Sequence, residues 1–177
     1  MSIHIAGQLV GCMAVVFSLA AYQINNRRNL LLVSTVSALL YAVAFWLLHA
    51  YTGAALNFLA ALRCYTFSRA TTKRDSVGTF FVFAGASLAA TLLTWDGLIS
   101  LLALAGSLLY ALSEGQLPIK RLRRTGLLAP PAWFIYNFFT GFYPGMFVEV
   151  FVFISNIIGQ YRFDFKKVDA RKDSVLS

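Results

Sequence analysis

Residues 127–161 read LLAPPAWFIYNFFTGFYPGMFVEVFVFISNIIGQY, a run that contains one charged side chain, Glu149. A single helix of that length would extend about 50 Å, against a bilayer hydrocarbon core about 30 Å thick. The run therefore divides into two spans, 127–142 and 145–161, joined at Tyr143-Pro144-Gly145. Pro130-Pro131 at the start of the first frees backbone carbonyls and predicts a kink. Five more apolar runs precede this pair: 5–24, 30–50, 52–69, 77–95 and 98–113. The shortest, 98–113, reaches only about 24 Å as a helix, so that segment must tilt or extend. Met1–Gly7 lacks the positive stretch of a secretory signal, so 5–24 is retained as a span. Of the 177 residues, 59% are apolar or aromatic and 12% are charged. A water-soluble domain carries about a quarter charged residues. The composition excludes a soluble enzyme, a disordered chain and, with two cysteines, a disulfide scaffold.

The cations choose between seven spans and six, the latter requiring one run to lie in the interface or re-enter. Arg27 and Arg28 follow the first span, Arg69, Lys73 and Arg74 the third. Lys120, Arg121, Arg123 and Arg124 follow the fifth, and Arg162, Lys166, Lys167, Arg171 and Lys172 lie beyond the seventh. With seven spans all of these fall on one side, leaving Arg63 within a helix, while joints 49–53, 94–97 and 143–145 carry no Lys or Arg. Positive loops stay in the cytoplasm, which predicts an outside N-terminus and a cytoplasmic C-terminus. The net charge of +8 is thereby assigned to orientation and to contact with anionic lipid headgroups. Nucleic acid is not expected as a partner, since no loop interleaves aromatic with basic residues.

An odd number of spans permits two three-helix halves of equal orientation around a linker. An offset of 92 residues places Tyr51-Thr52-Gly53 on Tyr143-Pro144-Gly145 and Leu30 on Leu122. The predicted fold is thus an all-α membrane protein of seven transmembrane helices arranged three, one, three. Its parts are a first repeat at 1–76, a linker helix at 77–95, a second repeat at 96–163 and a basic cytoplasmic tail at 164–177. Transporters built from parallel repeats place their sites at the repeat interface.

Polar groups inside the spans supply the candidate site. Asn57, Cys64 and Ser68 form one stripe of the third span at i, i+7, i+11, and Glu149, Asn156 and Gln160 repeat that spacing 92 residues later. Such stripes face the bundle interior, either as a solute pathway or as hydrogen-bonding glue between helices. A carboxylate is a poor choice for glue. Glu149, about 6 Å below the outer joint, can bind a cation, accept substrate hydroxyls or carry a proton, or else stay solvated at the rim. Arg63 lies about 10 Å from the level of Glu149, which argues against a direct ion pair. It either snorkels to phosphates or meets a ligand. Trp133, Asn137 and Thr140 share one face of the sixth span, an indole and an amide suited to a sugar-like or nucleoside ring. The expected substrate-binding set is Asn57, Arg63, Trp133, Asn137, Glu149 and Asn156.

The run Trp133-x-Ile135-Tyr136-Asn137-Phe138-x-x-Gly141-x-x-x-Gly145-x-x-x-Glu149, with Asn156 and Arg162 after it, resembles the YgjV-type family of bacterial inner-membrane proteins. Gly53 and Arg63 agree with that resemblance in the first half. More distantly, the three-one-three plan is similar to PQ-loop transporters, including SWEET sugar facilitators, where amides on the third and seventh helices contact substrate. That likeness implies roles for Asn57 and for Glu149 or Asn156. The Pro-Gln dipeptide is replaced by Tyr22-Gln23 and Gly115-Gln116, and Glu149 stands where a neutral amide is usual, so sugar specificity is not implied.

The expected function is transport or facilitated passage of a small polar solute between the halves, in the bacterial inner membrane, with the lipid bilayer as the other partner. The alternatives are a membrane scaffold without transport activity and, less favoured, an outer-face enzyme using His4, His49, Asp96 and Glu149. No enzymatic activity, cofactor or metal is expected: the histidines are single and no nucleophile has an evident base. Every Lys lies outside the spans, which excludes a retinal Schiff base, and single cysteines do not suit thiol oxidation.

Overall fold

A computed structural model describes residues 3–160, the side chains of 159 and 160 excepted. The predicted tail at 164–177, Gln160 of the second polar stripe, and the cations from Arg162 onward lie outside the described side chains. All regular structure among the described residues is helical: α1 Ile3–Gln23, α2 Arg27–Leu47, α3 Tyr51–Arg69, α4 Lys73–Leu93, α5 Ile99–Glu114, α6 Ile119–Thr125, α7 Pro130–Phe139 and α8 Tyr143–Gln160. Helices α1, α2 and α4 are long and apolar enough to cross a membrane alone, whereas α5 and α8 are shorter apolar helices.

Two expectations need correction. The sixth span, 127–142, is helical over ten residues only, about 15 Å of rise, and the residues before it form the basic helix α6. Prolines 130 and 131 occupy the first positions of α7, where the missing N–H groups have no intrahelical acceptor to lose, so they start the helix instead of kinking it.

The burial pattern is the reverse of a soluble protein. Leu93, Leu98, Val82, Phe81 and Phe147 are exposed, while Arg63, Asn137, Asn156 and a series of serines and threonines are buried. Where lipid is the solvent, large apolar side chains face outward and small or polar groups mediate helix packing. Gly11, for example, receives the ring of Phe142 where a Cβ would sit.

Six helices pack in a closed ring, each against the next: α1, α2, α3, α5, α7, α8 and back to α1. Helix α4 lies outside, against α3 and α5, and α6 rests on α5 and α8. At the basic end, Arg27 donates to the Phe67 and Glu114 carbonyls and Arg123 to the Ile24 carbonyl, which gathers the joints that carry the cations. At the opposite end, the Gln8 side-chain amide donates to the Gly141 carbonyl and the Thr52 hydroxyl to the Thr94 carbonyl.

The turns α2–α3 and α7–α8 share one backbone motif. His49 (φ 60°) and Gly141 (φ 66°) are both left-handed and stand 92 positions apart. Ala50 N–H donates to Phe45 O and His49 N–H to Trp46 O, and Phe142 N–H to Asn137 O and Gly141 N–H to Phe138 O. These are paired Schellman closures, which absorb the last helical carbonyls in a very short turn. A side chain in this conformation costs roughly 1 kcal/mol, which glycine avoids. His49→Gly is therefore expected to raise stability by about 1 kcal/mol and Gly141→Ala to lower it by at least as much. Denaturant unfolding of the detergent-solubilised protein reads both.

Candidate functional site

The ring encloses a cavity of about 110 Å³. One water requires roughly 10–15 Å³ by the same measure, so the space holds several waters or a small solute. Every ring helix contributes to its wall, and neither α4 nor α6 does. Five of the six sequence-derived candidates line it: Asn57 and Arg63 from α3, Trp133 and Asn137 from α7, and Glu149 from α8. Asn156 does not. It lies about 10 Å further along α8, 1% exposed, with both ends of its amide unpaired.

The lining positions correspond between the two chain halves at the offset of the matched turns. Ser18 and Tyr110, Tyr22 and Glu114, and Tyr41 and Trp133 all face the cavity. So do Phe45 and Asn137, Asn57 and Glu149, and Ala60 and Val152. The side chains differ in chemistry within most pairs, so backbone placement is preserved while the two walls diverge.

Arg63 does not snorkel. It is 1% exposed, and its guanidinium meets the Glu114 carboxylate two-pronged, Nε to Oε2 at 2.6 Å and Nη2 to Oε1 at 3.2 Å. Nη1 donates to the Ser107 carbonyl and hydroxyl, both at 3.1 Å. Ser107 and Glu114 sit two turns apart on α5, so one face of that helix satisfies the cation. Glu114 is absent from the sequence-derived set because span 98–113 stops one residue short of it. The available signal was a buried arginine in need of a carboxylate near the same end of the bundle. Arg27 holds the main chain of the same residue, Nη2 to Glu114 O at 2.8 Å, and also reaches Gln116 O at 2.9 Å and Phe67 O at 2.8 Å. It thus caps the C-terminal ends of α3 and α5, where a cation meets the negative end of each helix dipole. Its assignment to lipid headgroups is corrected accordingly.

Glu149 accepts a hydrogen bond from Tyr110 Oη at 2.8 Å and is 9% exposed. The Arg63 and Glu114 charges cancel in their ion pair, and the Glu149 carboxyl has a neutral phenol as its partner. Asn57 donates one of its two amide hydrogens to the Gly53 carbonyl at 2.9 Å. Trp133 Nε1 and Asn137 Oδ1 are buried without a protein partner. The cavity therefore presents the Glu149 carboxyl between the aromatic walls of Tyr41, Phe45 and Trp133, while the Trp133 Nε1 edge is packed against Gly106 of α5.

Trp133 is held against α5. A Cβ on Gly106 would lie 2.5 Å from Trp133 Cδ1 and 2.7 Å from Nε1. Gly106→Ala is expected to push the indole toward the cavity at a cost of about 1–3 kcal/mol, read by thermal unfolding. Thr140, on the same predicted face, bonds instead to the Tyr136 and Asn137 carbonyls, ending α7.

The histidines, remote in sequence, meet at the end opposite the cations with ring centroids 6.3 Å apart. Glu149 is turned to Tyr110 in the cavity, and no group of three or more potential metal ligands occurs among the described residues.

Residues 5–167 match the model of the Imp-YgjV family, described as a bacterial inner membrane protein. The chain belongs to that family. No curated protein and no solved structure matches it.

Proposed function

We propose that this multi-pass inner-membrane protein is a transporter or facilitator of a small polar solute, which passes between two three-helix halves and contacts Asn57, Arg63, Trp133, Asn137 and Glu149. On this reading α1–α3 form the first half, α4 is the linker, and α5, α7 and α8 form the second. The basic end faces the cytoplasm, with the N-terminus outside. The protein performs no catalytic step of its own.

The observation that carries this reading is the cavity, walled by all six ring helices through positions that correspond at one offset, with the Glu149 carboxyl among them. The Glu149 carboxyl and three aromatic walls favour a solute rich in hydrogen-bond donors or bearing a positive charge, which carboxylates and aromatic faces both attract. Asn156 extends the route toward the basic end.

Uptake of a panel of labelled small amines, polyols and amino acids into proteoliposomes tests the proposal. At least one solute should enter faster than into protein-free vesicles, and Glu149→Gln should slow it. If no solute in the panel moves above background, the scaffold reading takes its place.

A further inference from the structure

A second pocket, remote from the central cavity, opens at the basic end between the first turns of α4 and the last turn of α5, with a volume of about 400 Å³. Its two ends differ in chemistry. Lys73, Ser76 and Arg121 stand at one, while Val77, Phe80, Phe81 and Leu112 form an apolar floor and wall. Val77 is 46% and Phe81 67% exposed, so the apolar side opens laterally onto the surface that lipid covers. Ser76 is 5% exposed, and its hydroxyl is buried with no protein partner at the wall of the pocket.

Asp75, in the same turn of α4, does not line the pocket. It accepts from the Thr72 N–H at 3.2 Å in the capping box that begins α4. The first turn of α4 adds the positive end of a 21-residue helix to the two cations. An anionic oxygen placed there gains a hydroxyl donor and two charges. A hydrocarbon chain attached to it then runs along the phenylalanines. A free ion leaves the apolar part unused, and a zwitterionic lipid brings a quaternary ammonium close to the two cations.

We infer that this crevice binds one anionic phospholipid, its phosphate against Lys73, Ser76 and Arg121 and its acyl chain along Val77, Phe80, Phe81 and Leu112. The lipid would fill the gap between α4 and α5, one of the two contacts by which the outer helix meets the ring. This inference is independent of any transported solute.

Native mass spectrometry of the full chain in detergent, titrated with dioleoyl phosphatidylglycerol or dioleoyl phosphatidylcholine, provides the test. Each cation beside a headgroup of net negative charge is worth roughly a fivefold gain in binding, which the choline cation cancels in phosphatidylcholine, so the first phosphatidylglycerol should be held about 30-fold more tightly. Lys73→Ala combined with Arg121→Ala should remove that preference. Val77→Trp, which fills the crevice and leaves its charge unchanged, should abolish the tight lipid. Equal retention of both lipids by the wild-type protein would overturn the inference without reference to any variant. So would undiminished phosphatidylglycerol binding by Val77→Trp, or its displacement by millimolar inorganic phosphate, which would mark a site for a free anion.

Discussion

Arg63→Ala is expected to cost about 3–5 kcal/mol of stability, the loss that follows when one member of a buried ion pair is removed and its partner stays behind. The Glu114 carboxylate would lose both of its donors from Arg63, and the Ser107 carbonyl and hydroxyl would lose theirs. Glu114→Ala leaves the guanidinium stranded instead and should cost a similar amount. The double variant Arg63→Leu/Glu114→Leu should recover most of the loss, because it removes two desolvated charges together and fills the space with hydrocarbon. A double-mutant cycle closed with the single variants Arg63→Leu and Glu114→Leu, read in detergent by thermal unfolding, separates this coupling from simple loss of packing. Arg69→Ala is the comparison: Arg69 ends the same helix but is exposed, and its side chain meets the Tyr65 hydroxyl and ring. Equal losses at Arg63 and Arg69 would mean that the pair holds nothing together.

Glu149→Gln is expected to reduce solute uptake by roughly 10- to 100-fold, the equivalent of one charge-assisted hydrogen bond worth about 1.5–3 kcal/mol. The substitution keeps shape and volume, and the glutamine oxygen still accepts from Tyr110 Oη, so folding should be little changed. Tyr110→Phe makes the complementary test. It leaves the carboxyl in place without its phenol and should alter uptake less than Glu149→Gln does. If Tyr110→Phe is the more damaging of the two, the carboxyl is a structural acceptor and the transport mechanism fails. Unaltered uptake in Glu149→Gln would have the same meaning.

The sequence and the tertiary structure contribute different parts of this picture. Apolar run length is a local property, set by what a stretch of chain can place in lipid, and six of the seven predicted spans have a helix close to the expected bounds. The remaining span, 127–142, shortened because length and hydropathy do not register where a helix is interrupted by a neighbouring basic turn. The offset of 92 was visible through Gly53 and Gly145, although few identities accompany it. The left-handed residues of the two turns, one histidine and one glycine, share a conformation that their letters do not share.

Helical periodicity placed Asn57, Trp133, Asn137 and Glu149 on inward faces, because a buried polar group must avoid lipid wherever its helix lies. The choice of partner had no such local rule. Arg63 and Glu114 are 51 residues apart, Tyr110 and Glu149 are 39 apart, and Arg27 reaches across 87 to Glu114. Which face of α5 turns toward α3 decides all three contacts, and that rotation depends on packing around the whole ring. The sequence by itself determined a membrane-embedded helical chain, the clustering of its cations and five of the polar and aromatic residues that line its cavity. Tertiary structure alone decided that Arg63 is neutralised by Glu114 while Glu149 keeps a neutral partner, because charge pairing depends on distances between helices and no periodicity along one helix encodes them.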